Sequence, residues 1–262
     1  PFTLTRPLGE MRVFGGTIRG VWEDYLGSTV SYLTRDYLSD LYPLKWEAKN
    51  NILIPSNLIL DDNQISHALS ILKPTSERFN LEQAQKNCPV LKNKELKKIL
   101  KDSLLGTLLN YKSKFKKSNL DCSKNIFLND EEGPIVIEEN VHIMEGAMIR
   151  GPVHICKGSV IKMGSKIYGP TIIGPYCKVG GEVSNCIFLG FSNKAHEGFL
   201  GHSIIGEWCN IGAGTSNSNL RNDYNSVKMW DYMNQSFKDS KEQFLGLYMG
   251  DHSKCAINTS FN

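Results

Sequence analysis

Residues 135–179 read IVIEENVHIMEGAMIRGPVHICKGSVIKMGSKIYGPTIIGPYCKV. An aliphatic residue recurs here at every sixth position, at Ile137, Ile143, Ile149, Ile155, Ile161, Ile167, Ile173 and Val179. Four positions after each comes a small or β-branched residue, at Val141, Ala147, Val153, Ser159, Ser165, Thr171, Cys177 and Val183. The pattern predicts a left-handed parallel β-helix of hexapeptide repeats, because each short face of its triangular coil turns one aliphatic and one small side chain inward.

The stride of six is interrupted twice. Val179 and Ile205 are 26 positions apart, which is not a multiple of six, so the sequence predicts a loop near residues 185–203. The register resumes at Ile205 and breaks again over residues 217–244. Loops that leave a rigid scaffold are where binding and catalytic groups concentrate. We therefore look for the site in these two segments.

Residues 1–128 do not repeat. Short strand-like and helix-like segments alternate there, which predicts an α/β domain at 1–128 before a β-helix domain at 129–262. Helices are predicted over residues 17–26 and 34–41. A further amphipathic helix is predicted over residues 94–111, and we interpret its lysines as a solvated face. His142 and His154 each precede an inward isoleucine, so both are predicted to face solvent.

Composition excludes several classes of function. The net charge of +3 is too small to indicate nucleic-acid binding, and no apolar run approaches the ~20 residues of a membrane span. Seven cysteines without a CxxC pair argue against a zinc site or a disulfide framework, so we predict no metal site and a reduced, cytoplasmic setting. The chain begins with Pro1 and stops inside a resumed repeat, so we expect residues to be missing at both ends.

Chemically useful side chains concentrate in residues 192–220, which read SNKAHEGFLGHSIIGEWCNIGAGTSNSNL. The segment resembles the acetyltransferase domain of the bifunctional N-acetylglucosamine-1-phosphate uridylyltransferase/glucosamine-1-phosphate acetyltransferase family. That family has a His-x-x-Tyr-Leu-Gly-Asp loop, then Asn-Ile-Gly-Ala-Gly-Thr and a Cys-Asn-Tyr segment. The matching positions are His196, Phe199–His202, Asn210–Thr215 and Ser218–Leu220. TRPLGEMRVFGGTIRGVWEDYLG at 5–27 and NLRNDYNSVKMWDY at 219–232 resemble a divergent branch of these two-domain proteins.

The resemblance implies a role for each matching residue. His196 aligns with the general base that deprotonates the sugar amine as it attacks acetyl-CoA. The backbone N–H of Ala213 would stabilise the oxyanion. Lys194, Asn210, Asn219 and Lys228 are the implied substrate-binding residues. Phe199 replaces the family's Tyr. His202 replaces its Asp, and it is either the working base or a turn residue.

The resemblance also implies nucleotidyl transfer to a sugar 1-phosphate by the N-terminal domain, with Mg²⁺. At about 128 residues the N-terminal domain is short for a nucleotidyltransferase fold, so we expect it to be incomplete. The Gly-rich loop with which nucleotidyltransferases of this class bind phosphates is not found in its sequence. Arg6 and Arg12 are the candidate nucleotide contacts, and no acidic metal ligand is named.

We expect a homotrimeric sugar-phosphate-modifying transferase that acts on small-molecule sugar phosphates and nucleotides. One alternative is a uridylyl- or thymidylyltransferase whose β-helix is an oligomerisation scaffold. Another is a non-enzymatic sugar-phosphate binding module.

Overall fold

The computed structural model describes residues 6–13, 16–49, 51–54, 66, 68–70, 72, 74–75, 83, 125–231 and 234–262. The chain divides into two compact units, residues 2–114 and residues 115–262 together with residue 1. The sequence placed the domain boundary between residues 128 and 129. Both residues belong to one strand of the β-helix, Phe127–Asn129. The helix expected over 94–111 lies outside the described residues.

The first unit begins with a small hairpin and a helix. A 3-10 turn at Leu8–Glu10 precedes the antiparallel pair β1 (Arg12–Val13) and β2 (Gly16–Thr17). Helix α1 (Ile18–Leu26) follows, as the sequence predicts. Thr17 caps it, because the Thr17 hydroxyl accepts a 3.0 Å hydrogen bond from Gly20 N, and Gly27 ends it at a φ of 63°.

The helix predicted over residues 34–41 is only a 3-10 turn, Asp36–Leu38. The Ser39 hydroxyl donates a 2.7 Å hydrogen bond to the Asp36 carbonyl, which offers the backbone a local alternative to further helix. Beyond it, Asn51 and Thr75 form an isolated antiparallel bridge.

The second unit is the left-handed β-helix that the stride of six predicts. Its strands, numbered in chain order, form three parallel faces. The first face holds β3 (Phe127–Asn129), β6 (Met148–Arg150), β9 (Lys166–Tyr168), β12 (Glu182–Ser184) and β15 (Phe199–Gly201). The second holds β4 (Ile135–Ile137), β7 (Val153–Ile155), β10 (Thr171–Ile173), β13 (Ile187–Gly190), β16 (Ile204–Glu207) and β21 (Tyr248–Met249). The third holds β5 (His142–Ile143), β8 (Val160–Ile161), β11 (Lys178–Val179), β14 (Asn193–Lys194), β17 (Asn210–Ile211) and β22 (Lys254–Cys255).

Each early coil consists of three hexapeptides, since Ile137 pairs with Ile155 and Ile155 with Ile173. The aliphatic register is buried throughout, from Ile137 to Val179. Hydroxyl groups among the small residues that recur at every sixth position link successive coils. The Ser159 hydroxyl donates to Gly174 O at 2.8 Å and accepts from Cys177 N at 3.1 Å. The polar members of the core are therefore hydrogen-bonded, as buried hydroxyls need to be.

Residues 185–203 form a coil of the β-helix, so the loop expected there is wrong. They contain β13, β14 and β15, each paired with the coil before it. The stride fails because the coils become shorter: Ile173 pairs with Phe188 and Phe188 with Ile205, and both partners come earlier than three hexapeptides would place them. The position opposite Val179 is also polar, because Lys194 occupies it.

An excursion leaves the β-helix between Leu220 and Phe244, which form an isolated antiparallel bridge. It carries an antiparallel hairpin of β19 (Lys228–Asp231) and β20 (Ser236–Asp239). The coil then resumes in register, with β21 beside β16, β22 beside β17, and β23 (Ser260–Phe261) beside β18 (Ser216–Asn217).

Two further expectations from the sequence have outcomes here. His142 is exposed as predicted, whereas His154 is wrongly predicted to face solvent and is buried. None of the described helices has the length and apolar character that a bilayer crossing requires.

Candidate active site

The corner between the third and first faces, which we call the His196 corner, carries two of the residues implied by the resemblance. His196 lies just after β14 and its side chain is exposed. In the next coil, the N–H of Gly214 donates a 3.0 Å hydrogen bond to the carbonyl oxygen of Glu197. His196 and Ala213 precede these two partners, so they occupy matching positions in adjacent coils.

The turn that contains Ala213 leaves its amide outside the turn's own hydrogen bond. That bond joins Thr215 N to Gly212 O at 3.3 Å. Gly214 has a φ of 70°, the conformation that type II turns require at their third residue and that favours glycine. The Ala213 carbonyl oxygen accepts a 2.7 Å hydrogen bond from Asn258 N, which fixes the turn against the following coil.

Lys194 is placed inside the β-helix, where a substrate cannot reach it. Its side chain is 1 % exposed, and Nζ donates to the carbonyl oxygens of Gly180 at 3.1 Å and His196 at 2.7 Å. Burial lowers the pKa of Lys194 to about 8, against the opposing influence of Glu197 and Cys186. The substrate-binding role expected for Lys194 therefore does not fit its position, and its ammonium group instead holds the backbone beside His196.

The corner between the first and second faces, the His202 corner, brings together a second group. His202 has a φ of 49°, and its Nδ1 atom lies 2.9 Å from Nδ2 of Asn219. The imidazole stacks on Phe244, with ring centroids 5.1 Å apart. Burial lowers the pKa of His202, which favours the neutral ring. Because the Asn219 amide nitrogen only donates, the neutral ring accepts at Nδ1 and carries its proton on Nε2.

The two corners lie at opposite ends of one strand, β15, about 10 Å long at ~3.3 Å per residue. Side chains complete the bonding between this strand and the next coil. Phe199 N donates to Ser216 Oγ at 3.1 Å, and the buried Asn217 amide exchanges two hydrogen bonds with Gly201, at 2.8 and 3.0 Å. The first face is therefore held by polar side chains at the coil that bears the candidate residues.

Asn210 and Lys228 are placed apart from both histidines. Asn210 is exposed on β17 of the third face, where its Oδ1 accepts a 2.9 Å hydrogen bond from Asn193 Nδ2. Lys228 is exposed on β19 of the excursion. Within one chain the structure thus brings His196 to Ala213 and Asn219 to His202, and it does not gather all the implied residues at one point.

The corner between the second and third faces, which we call the aromatic corner, carries a stack of three rings that the sequence analysis did not predict. Tyr176, Phe191 and Trp208 stack along it, with centroid separations of 5.5 and 4.7 Å. They line a groove of about 480 Å³ together with Lys178, Ser192 and Asn193. A signal was present, since each ring comes three residues after an inward residue: Ile173, Phe188 and Ile205.

Arg6 and Arg12, the candidate nucleotide contacts, lie in the described part of the first unit. Arg6 is buried, Arg12 is half-buried on β1, and each makes contacts with other groups. The sequence did not single out Arg19, whose Nε lies 2.8 Å from Glu10 Oε1, the oxygen that also accepts from the Tyr32 hydroxyl at 2.9 Å.

The Mg²⁺ implied for nucleotidyl transfer finds no matching ligand group among the described residues of the first unit. In that part of the chain no three His, Cys, Asp or Glu side chains converge. We therefore derive no step through a magnesium ion.

Similarity to known families covers both units. The family described as sugar nucleotidyl transferase matches residues 1–145, which is more than half of the chain. The bacterial transferase hexapeptide family, with six repeats, matches residues 134–169. No curated protein is similar to the chain at a significant level.

Proposed function

The chain belongs to the sugar nucleotidyl transferase family and carries the hexapeptide repeats of bacterial transferases, and we propose that it transfers an acetyl group from acetyl-CoA to an amino sugar 1-phosphate. Nucleotidyl transfer to a sugar 1-phosphate is the second activity in this proposal, assigned to the N-terminal unit. The products would supply nucleotide-sugar synthesis.

One observation carries the acetyl-transfer proposal: the exposed imidazole of His196 and the turn at Ala213 lie in matching positions of adjacent coils. A base and an oxyanion donor must act on the two sides of one reacting bond, so they need to be neighbours. A rigid coil that fixes both backbones provides that neighbourhood without reorganisation.

The proposed reaction needs only these two groups at the reacting atoms. His196 takes a proton from the sugar amine as the amine nitrogen attacks the thioester carbon of acetyl-CoA. The carbonyl oxygen becomes an oxyanion, which the Ala213 N–H stabilises. The tetrahedral intermediate then collapses, the carbon–sulfur bond breaks, and His196 returns the proton to the CoA thiolate.

We assign substrate binding to Asn210, Asn219 and Lys228. We also propose that the protein forms a homotrimer through the β-helix. In the proposed homotrimer, we place the His196 corner of one chain beside a neighbouring chain. Asn210, Asn219 or Lys228 of that neighbour can then complete a site that a single chain spreads over two corners and a hairpin. Light scattering on the full-length protein tests the assembly.

The test of acetyl transfer is release of free CoA from acetyl-CoA in the presence of glucosamine 1-phosphate. We compare full-length protein, His196→Ala and the matched control His142→Ala, since His142 is also an exposed histidine on the β-helix. Loss of a general base typically costs 10²–10⁴-fold in rate, so His196→Ala is expected to lose at least about 100-fold and His142→Ala nothing. Equal rates in all three proteins would exclude His196 as the base.

A second candidate follows from the extent of the family match, which covers residues 1–145 and so the whole first unit. In this alternative the protein is only a sugar-1-phosphate nucleotidyltransferase, and the β-helix is an oligomerisation scaffold. Consumption of uridine or thymidine triphosphate against a sugar 1-phosphate, without CoA release under any condition, would favour it.

A further inference from the structure

Three potential metal ligands converge near the start of the β-helix. The Nε2 atom of His154 lies 2.8 Å from Oε1 of Glu138 and 3.9 Å from Sγ of Cys156. The ligating atoms of the three side chains all lie within 4.8 Å of one another. The cluster contributes one oxygen, one nitrogen and one sulfur atom, and it lies on different coils from His196 and His202.

The coil geometry explains why these residues meet. Strand β4 pairs with β7 so that Ile137 lies opposite Ile155. Glu138 and Cys156 each follow these partners, which places them side by side in adjacent coils. His154 is two positions before Cys156, so both side chains leave the chain near the same point. A motif such as CxxC relates residues that are close in the sequence. It cannot reveal Glu138 and Cys156, which are one whole coil apart in the sequence and adjacent in space.

Burial and charge suit a divalent cation. His154 and Cys156 are each 2 % exposed, while Glu138 is half-buried. Two contacts hold the Glu138 carboxylate in place: Oε1 lies 2.8 Å from Nε2 of His154, and Oε2 accepts a 2.8 Å hydrogen bond from Lys157 N. A carboxylate and a thiolate carry two negative charges, and a divalent ion makes the complex neutral. A neutral complex avoids the cost of leaving a net charge in a buried place.

We propose that Glu138, His154 and Cys156 bind a divalent transition-metal ion of the zinc class, with water as the fourth ligand. Mixed sulfur, nitrogen and oxygen ligation in a tetrahedron is characteristic of Zn²⁺. Zn–S bonds of ~2.3 Å and Zn–N or Zn–O bonds of ~2.0–2.1 Å place tetrahedral ligand atoms roughly 3.3–3.6 Å apart. The separations of 2.8 and 3.9 Å lie on either side of this range, so small side-chain adjustments suffice.

Binding releases one proton, the thiol proton of Cys156. A neutral His154 that carries its hydrogen on Nε2 moves it to Nδ1, which frees Nε2 to bind the ion without a net loss of a proton. Metal affinity therefore rises with pH, as it does wherever ligands must be deprotonated. Because Glu138 belongs to one coil and the other two ligands to the next, the bound ion fastens the first coils of the β-helix to each other.

The test is Co²⁺ binding to the full-length protein after removal of metal with a chelator. We expect one equivalent of Co²⁺ at this site, with the intense visible bands of a tetrahedral ion and a near-ultraviolet thiolate-to-cobalt charge-transfer band. In Cys156→Ser the charge-transfer band at this site should vanish, and affinity should fall by at least about 100-fold, beyond the 10–100-fold typical of outer-shell changes. Cys255→Ser, which alters a half-buried cysteine outside the cluster, is the matched control.

A second measurement uses the wild-type protein and a variant that keeps the shape of the Glu138 side chain. Zn²⁺ should raise the thermal unfolding midpoint of the wild-type protein and leave that of Glu138→Gln almost unchanged, because the amide loses the anionic ligand but keeps the shape. An octahedral Co²⁺ spectrum without a thiolate band in the wild-type protein would overturn the proposal. So would an unchanged charge-transfer band in Cys156→Ser.

Discussion

The ammonium group of Lys194 donates a 2.7 Å hydrogen bond to the carbonyl oxygen of His196 from inside the β-helix. The neighbouring coils carry Val179 and Ile211 at the same inward position, which shows what the fold ordinarily requires there. A buried lysine is costly unless its hydrogens are bonded, and here two carbonyl oxygens each accept one of them. This internal hydrogen bond couples the core of the β-helix to the backbone of the proposed base.

Replacing Lys194 by Met should change how stability depends on pH. Burial lowers the pKa of Lys194 from 10.5 to about 8, so between these values the unfolded chain binds more protons than the folded one. The free energy of unfolding of the wild-type protein should therefore rise over that window, by about 3 kcal/mol in total. In Lys194→Met this rise should be missing, because the titrating group is gone.

Urea denaturation at pH 7.5 and pH 10 measures the effect, with Lys178→Met as control. Lys178 is an exposed lysine on the preceding coil, so its removal should leave the pH slope unchanged. Identical slopes in Lys194→Met and wild-type protein would show that Lys194 is not buried in solution.

Phe244→Ala should raise the pKa of His202. The stacked ring of Phe244 contributes to the burial that lowers this pKa, and its removal admits water to the imidazole. An NMR titration of the His202 ring measures the shift. Phe237→Ala is the control, since Phe237 is an exposed aromatic residue of the same excursion that packs on Trp230. A pKa that is the same in both variants would contradict the stacked arrangement.

At the aromatic corner, Phe191→Gly should be more stable than Phe191→Ala. Both variants lose the stacking of Phe191 with Tyr176 and Trp208, worth about 0.5–1.5 kcal/mol for each contact. Phe191 has a φ of 52°, and glycine adopts this conformation without the penalty of roughly 1–2 kcal/mol that a Cβ incurs. Urea denaturation of the two variants gives the difference directly, and the opposite order would show that the corner relaxes.

Ser192→Ala should destabilise the β-helix by about 1–3 kcal/mol, because its hydroxyl satisfies two buried backbone groups. The buried Ser192 hydroxyl donates to Gly206 O at 2.7 Å and accepts from Cys209 N at 2.9 Å, and both partners would lose this hydroxyl. Chemical denaturation measures the loss, with Ser218→Ala as an exposed control. A change below about 0.5 kcal/mol, the usual range of surface substitutions, would mean that neighbouring groups replace the hydroxyl.

The sequence predicted the β-helix well because its core repeats locally. Every aliphatic position from Ile137 to Val179 is buried as the stride of six requires. The same reasoning failed at residues 185–203, because the corners of that coil are shorter and because Lys194 stands where an aliphatic residue was sought. A fixed period cannot follow a β-helix whose coil length changes from one turn to the next.

The placement of side chains outside the core was less predictable. His154 precedes an inward residue in the same way as His142, yet the first is buried and the second is exposed. The stride specifies which way a side chain leaves the strand but not what lies over it. The partners of Lys194 and His202 were invisible for the same reason, since they depend on which coils lie above and below.

The excursion between Leu220 and Phe244 has a consequence for how such proteins can diversify. Ile205 pairs with Met249 across an inserted segment, and the ladder continues as if nothing had intervened. Lengthening a closed loop twofold costs only about 0.6 kcal/mol, so selection can exchange this hairpin for another of different length and chemistry while the coil stays intact. The hairpin is thus a module that can evolve separately from the scaffold that carries it.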